Sequence, residues 1–122
     1  MTAIGLYGFD VRGIRFHKAA ARTGDFRPGR RIELVREPNN RFDANAVGVR
    51  AAGAETVTGY INKAKAGTVA RLLDQGEDLY ALCLRGTGPG TMPAKISILA
   101  ATPEAIRHLC RNLRQPLPEG AT

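Results

Sequence analysis

One short stretch gathers most of the side chains in this chain that could do chemistry together. From Arg36 to Val49 it reads Arg-Glu-Pro-Asn-Asn-Arg-Phe-Asp-Ala-Asn-Ala-Val-Gly-Val, so amides, carboxylates, guanidiniums and an aromatic ring crowd into one segment. Asn39, Asn40, Asp43 and Asn45 are turn formers whose side chains bond the backbone locally. Phe42 is out of place among them: a ring in a polar, charged loop either plugs into the core or waits for a flat partner. Aromatic rings stack unpaired bases at about 1–3 kcal/mol each with little sequence preference, while Arg and Lys hold the phosphates. Phe16, Phe42 and Tyr60 are candidate rings, and Arg15 and Lys63 candidate phosphate ligands. Asp43 needs a separate reason to sit in a basic setting. A carboxylate repels phosphate but accepts a hydrogen bond from a hydroxyl, so it favours a free 3′-OH and penalises an internal or 3′-phosphorylated position.

Each of these residues also has a structural reading. Phe16 and Phe42 fit core rings as well as base platforms, and Tyr60 fits a strand end capping the core with its hydroxyl wet. Arg15 could pair with Glu37 or Asp43. Asp43 suits an Asx-turn, a role compatible with binding a ligand, and Asn40 is structural even within a working site. Lys63 opposes the helix dipole if it opens a helix, which points to another use.

An enzyme finds little support. His17, Glu37, Asp43 and His108 could be assembled into a metal-dependent nuclease on paper, but none forms a close pair with metal-ligand spacing. Ser97 is the only serine and lacks a nucleophile-elbow context. No Gly-x-x-x-x-Gly-Lys loop is present, so no ATPase is expected. Cys83 and Cys110 are too few for a disulfide framework or a zinc site, and both fall on apolar faces, so both are expected as buried thiols. No cofactor or metal is expected.

The elements that must position the loop follow from the pattern around it. Ile32 and Leu34 share one face of a strand before it, and Val47 and Val49 one face of a strand after it. Pro38 lacks a ladder donor and biases Glu37 away from helix, which ends the first strand. Upstream, Ile4 to Val11 and Ile14 to Phe16 read as one bent strand or two short ones broken by glycine. Lys18 to Asp25 permits a helical turn that Thr23-Gly24-Asp25 stops, and Arg27-Pro28-Gly29-Arg30 is a turn into the strand at 31–36. Downstream come a strand at Thr56 to Ile61 and a helix capped by Asn62, with Ala66, Val69, Ala70 and Leu73 in period and Gly76 as its stop. Strands at 79–85 and 94–100 follow, the latter with Ile96, Ile98 and Ala100 inward. A closing helix takes Thr102 as cap, Pro103 at its first position and Ile106, Leu109, Cys110 and Leu113 as its stripe. The fold expected is mostly β with two helices, a curved antiparallel sheet or small OB-like β-barrel. Residues 1–114 are expected as a single domain and 115–122 as a frayed tail.

Charge narrows the partner. The net charge is +7, with 14 Arg against 4 Lys, and arginine suits bidentate phosphate contact and stacking on flat rings. Residues 1–50 hold ten Lys/Arg against five Asp/Glu, and residues 51–122 eight against six, so the excess lies in the half carrying the loop. No basic segment leads into a long apolar run and no stretch approaches a membrane span, so a soluble, cytoplasmic protein is expected.

The run Arg-Glu-Pro-Asn-Asn-x-Phe-Asp-x-Asn-Ala-Val at 36–47 resembles the signature of the HIRAN domain family, found at the N-terminus of helicase-like repair translocases and as small standalone bacterial proteins. Gly13-Ile14-Arg15-Phe16-His17 is similar to the family's early strand motif, Val57-Thr58-Gly59-Tyr60-Ile61 to its later one, and Lys63 to Gly76 to the helix that follows. The blocks keep the family's order over roughly positions 9 to 100. The resemblance implies an OB-like barrel and a pocket for the 3′ end of single-stranded DNA. In it Arg15 and Phe16 would contact backbone and base, Asn40, Phe42 and Asp43 would surround the terminal nucleotide, and Tyr60 and Lys63 would complete the site. One member of the family has Tyr at the Phe42 position and His at the Tyr60 position, so the resemblance does not carry over a hydroxyl and an imidazole contact, while stacking survives. That member also has an aromatic before Thr-Met-Pro where this chain has Gly90, so one stacking wall is missing and weaker end selectivity is implied. The function expected is a non-catalytic module binding single-stranded DNA at its free 3′-OH end in repair or replication-fork processing, beside a helicase or another repair protein. The alternatives are a protein-recruiting module for acidic segments and an unspecific basic nucleic-acid binder.

Overall fold

The computed structural model describes residues 5–113. Six antiparallel strands close into a barrel: β1 (Leu6–Arg12), β2 (Arg31–Arg36), β3 (Val47–Ala51), β4 (Gly59–Ile61), β5 (Tyr80–Arg85) and β6 (Ser97–Ala101). Their order around the barrel is β1-β4-β3-β2-β5-β6, with β6 returning to β1. Three helices accompany them, α1 (Lys18–Thr23), α2 (Lys63–Asp74) and α3 (Pro103–Leu113). This is the small OB-like barrel that the strand pattern implied, with the tentative helical turn before Thr23 realised as a third, short helix.

Alternation along the strands builds the core. Phe9 and Val11 of β1, Ile32 of β2, Val47 and Val49 of β3, Cys83 of β5 and Ile98 and Ala100 of β6 all point inward and are buried. Ala66, Val69 and Ala70 lay the apolar face of α2 onto the same core. A smaller cluster of Ala101, Ala105 and Ile106 seats α3 against Leu6 and Tyr80. Thr102 caps that helix as expected, its hydroxyl accepting the Ala105 N–H at 3.2 Å. Asn62 stands at the N-cap of α2 but makes no capping bond, and its Oδ1 is buried without a partner among the described residues. No helix among the described residues is long and apolar enough to cross a membrane.

Three expectations shift, and the first is that the strand expected from residue 94 begins only at Ser97. Ile14–Phe16 is a 3₁₀ turn rather than a strand, because Gly13 takes the left-handed conformation (φ 81°) at the end of β1. The turn closes through the Phe16 N–H to the Gly13 carbonyl (3.0 Å) and the His17 N–H to the Ile14 carbonyl (2.9 Å). The strand expected from Thr56 begins only at Gly59, although Thr58 already donates its N–H to the Val49 carbonyl at 2.7 Å. The backbone of α3 runs to Leu113, but the side chains of the expected stripe at Leu109, Cys110 and Leu113 are outside those described, as is the tail at 115–122.

Phe26 is the core residue that periodicity missed. It stands alone between Asp25 and the Arg27–Gly29 turn, so no pattern marks it, yet it is fully buried. Its N–H donates to the Thr87 carbonyl at 2.9 Å, and the Cys83 thiol, pushed up in pKa by burial, donates to its carbonyl at 3.1 Å. Phe26→Ala is expected to cost about 3–5 kcal/mol of stability, whereas Phe16→Ala and Phe42→Ala stay within about 0.5 kcal/mol. Urea unfolding of the three variants checks the contrast.

Candidate functional site

The loop from Glu37 to Ala46 joins β2 to β3 and is built as a closed unit. The ladder ends at the Arg36–Val47 pair, and the Glu37 N–H donates to the Ala46 carbonyl at 3.0 Å. Arg36 clamps the same point: one guanidinium nitrogen donates to the Ala46 carbonyl (3.2 Å) while another meets Asp74 at the end of α2 (2.9 Å). Inside the loop, the Asn40 side-chain oxygen accepts the N–H groups of Phe42 (2.9 Å) and Asp43 (3.2 Å). One Asp43 carboxylate oxygen accepts the Asn45 N–H (2.9 Å), the Asx-turn that the residue type allowed, and its carbonyl accepts the Ala46 N–H (3.0 Å). The second carboxylate oxygen has no partner among the described residues.

Glu37 ties this loop to the barrel wall. Its carboxylate accepts the Asn40 amide N–H at 3.1 Å and the Tyr60 hydroxyl at 3.0 Å. Tyr60 reaches it across β3, where its partner in register is Gly48. A Cβ at Gly48 would stand 2.7 Å from Val57 and 3.4 Å from the Glu37 carboxylate, so any side chain there intrudes on the link. Burial and the neighbouring Glu37 charge push the Tyr60 phenol above its ordinary value, so it stays a proton donor throughout the neutral range. On its other side Tyr60 packs against His17, ring centroids 6.0 Å apart at 59°. His17 directly follows the 3₁₀ turn carrying Arg15 and Phe16.

The candidate residues thus fall on connected segments: Arg15 and Phe16 on the turn after β1, Asn40, Phe42 and Asp43 in the loop, Tyr60 on β4, and Lys63 exposed in the first turn of α2. The choice between core rings and platforms is decided for two of them. Phe16 is 73% exposed and Phe42 84% exposed. Each carries a guanidinium against its ring, Arg15 at 5.0 Å from the Phe16 centroid and Arg41 at 5.6 Å from that of Phe42. The pairing of Arg15 with Glu37 or Asp43 is not formed; no ion pair among the described residues involves it. An exposed guanidinium–ring contact is worth about 0.5–1 kcal/mol and a stacked base about 1–3 kcal/mol, so a base can displace either arginine and free it for a phosphate.

A model of the HIRAN domain matches residues 4–100. The chain belongs to the HIRAN domain family. Among solved structures, the HIRAN domain of human HLTF aligns with a TM-score of 0.65 and 21% identity, over 91% of this chain and 88% of that one. A protein from Lactobacillus plantarum aligns at 0.66 and 24% identity, over 83% of this chain and 95% of that one. The HLTF HIRAN domain in its DNA-bound conformation aligns at 0.55 and 22% identity, over 90% and 86%. At these identities the likeness establishes the fold. No curated protein matches the chain.

In this HIRAN domain Gly90 has φ 94° and donates its N–H to the Arg22 carbonyl at 2.7 Å. A side chain there would face open space, so nothing at this position supplies a wall. Among the described residues no three His, Cys, Asp or Glu side chains converge as a metal site. Sequence reasoning missed Glu37 and Arg41 as site elements. The β2–β3–β4 order that brings Glu37 to Tyr60 has no local signal, but Arg41 adjoins Phe42 in sequence and was readable.

Removing the phenol in Tyr60→Phe is expected to cost about 1 kcal/mol of stability. Because the folded phenol titrates above its unfolded value, its contribution is complete below the ordinary tyrosine range and fades as pH rises through the elevated one. Phenolate absorbance checks this: the highest-pH phase of the titration should vanish in Tyr60→Phe, and its persistence would refute the assignment.

Proposed function

We propose that this HIRAN domain binds single-stranded DNA at a free 3′-OH end and acts by positioning rather than by catalysis. The observation that carries the reading is the pair of solvent-facing rings, each with an arginine on its face, one of them next in sequence to a carboxylate with one oxygen left open. Phe16 and Phe42 offer stacking faces, Arg15 and Lys63 offer charge to the phosphates, and Asp43 receives the terminal hydroxyl. Asn40 holds the loop in shape through its two backbone contacts. Tyr60, bound through its hydroxyl to Glu37, presents its ring rather than a donor. The DNA-bound form of the HLTF HIRAN domain supports a nucleic-acid partner for this fold. A role in repair or fork processing beside a helicase follows from end recognition, since frayed and unwound ends are where such a terminus is exposed.

A labelled oligonucleotide tested by fluorescence polarisation as a 3′-OH strand, a 3′-phosphate strand and a blunt duplex separates the readings. The 3′-OH strand is expected to bind tightest. Asp43→Asn keeps the Asx-turn acceptor but removes the charge, and should erase about tenfold of the discrimination against the 3′-phosphate, the scale of one charged hydrogen bond. Equal binding of all three forms with steep loss in salt would instead mean an unspecific phosphate surface.

A further inference from the structure

Resting on the reading of the loop as a 3′-end pocket, we propose that the strand upstream of that terminus runs along the outer face of β1, held by Arg12, Lys65 and Lys95. Three open depressions lie end to end there. The first, about 360 Å³, is formed by Val11 to Phe16 and so begins at the Arg15–Phe16 pair. The second, about 300 Å³, lies over Gly8 and Asp10 of β1 and is flanked by Lys65, Leu84 and Ser97. It takes over where β1 passes from Arg12 to Asp10. The third, about 260 Å³, runs between β1 and α2 and shares Gly8 and Lys65 with the second. The seven residues of β1 span about 20 Å at strand rise, enough to carry chain beyond a terminal nucleotide.

The chemistry of this track suits a nucleic-acid backbone with bases turned inward. Its floor is open and mixed: Gly8 offers no side chain, and polar Asp10 and Ser97 lie beside apolar Leu84. Leu84 is 50% exposed. Its rim is cationic. Arg12 is exposed at the end of β1. Lys65 lies over the strand, donating to the Gly8 carbonyl, and Lys95 stands 3.2 Å from Asp10. Asp10 also accepts the Ser97 hydroxyl at 2.7 Å. It is the one anion of the rim, against three cations, and it orients Lys95. The first turn of α2 carries Lys63 and Lys65 two positions apart, so one helical turn serves both pocket and track. Arg12 shares the first depression with Arg15 and Phe16, whereas Lys65 and Lys95 lie outside it, which makes track and pocket separable at the two lysines.

The test measures 5′-labelled oligothymidines with free 3′-OH ends, a dinucleotide and a hexanucleotide, at two salt concentrations. The hexanucleotide is expected to bind about tenfold tighter, with a salt slope steeper by about 0.7 for each further phosphate engaged. Lys65→Ala and Lys95→Ala should each weaken the hexanucleotide severalfold and flatten its slope by about 0.7 while leaving the dinucleotide unchanged. Asp10→Asn should strengthen the hexanucleotide alone, and thermal melts confirm that each variant is folded. Equal affinity for both lengths, or a hexanucleotide indifferent to all three substitutions, overturns the track and leaves the pocket standing. Failure of the unaltered protein to bind either length overturns both.

Discussion

The carboxylate of Glu37 is the contact on which the arrangement of the site depends. It is a half-buried anion that two neutral donors, the Tyr60 hydroxyl and the Asn40 amide, compensate from different parts of the chain. Without it, the loop would be tied to β4 by nothing else among the hydrogen bonds described. With it, a hairpin tip that could swing becomes an extension of the barrel wall. The backbone of Phe42 and Asp43 is then fixed through Asn40, one hydrogen bond further out. Phe42 and Asp43 are thus two bonds removed from the scaffold, close enough to be placed and far enough to leave the Phe42 ring exposed.

Arginine and acid are sorted across the surface. Asp25 engages Arg27 and Arg30, Asp74 engages Arg36, and Glu33 engages Arg50. The bond from Arg27 holds the Asp25 carboxyl down to about 2, so it remains an anion over the whole neutral and mildly acidic range. Scaffold acids therefore neutralise scaffold arginines. Arg15 and Arg41 instead rest on rings, where the interaction is weaker and exchangeable.

Much of this was legible before any coordinates. Alternation at Ile32, Val47, Val49, Ile98 and Ala100 gave the inward faces, and the Asn62 and Thr102 positions gave the starts of two helices. What stayed hidden has physical causes. The 3₁₀ turn at Ile14–Phe16 depends on the left-handed Gly13, and an apolar-Arg-apolar triplet reads equally well as a strand. Phe26 is buried by long-range packing against the turn after β5, which no local period records. The exposure of Phe16 and Phe42 was an open choice because a ring's fate depends on what the barrel leaves uncovered. The link from Glu37 to Tyr60 required knowing that Gly48 stands between them without a side chain.

The arginines lying on Phe16 and Phe42 have a consequence for the protein in the absence of any ligand. Two phenyl rings held out in water are adhesive, and at high concentration they invite one molecule to stick to the next. A guanidinium laid over each ring shields part of its apolar face and adds like-charge repulsion between neighbouring molecules. The pairing of ring and guanidinium therefore works as a colloidal safeguard, lowering the adhesiveness of an exposed aromatic surface.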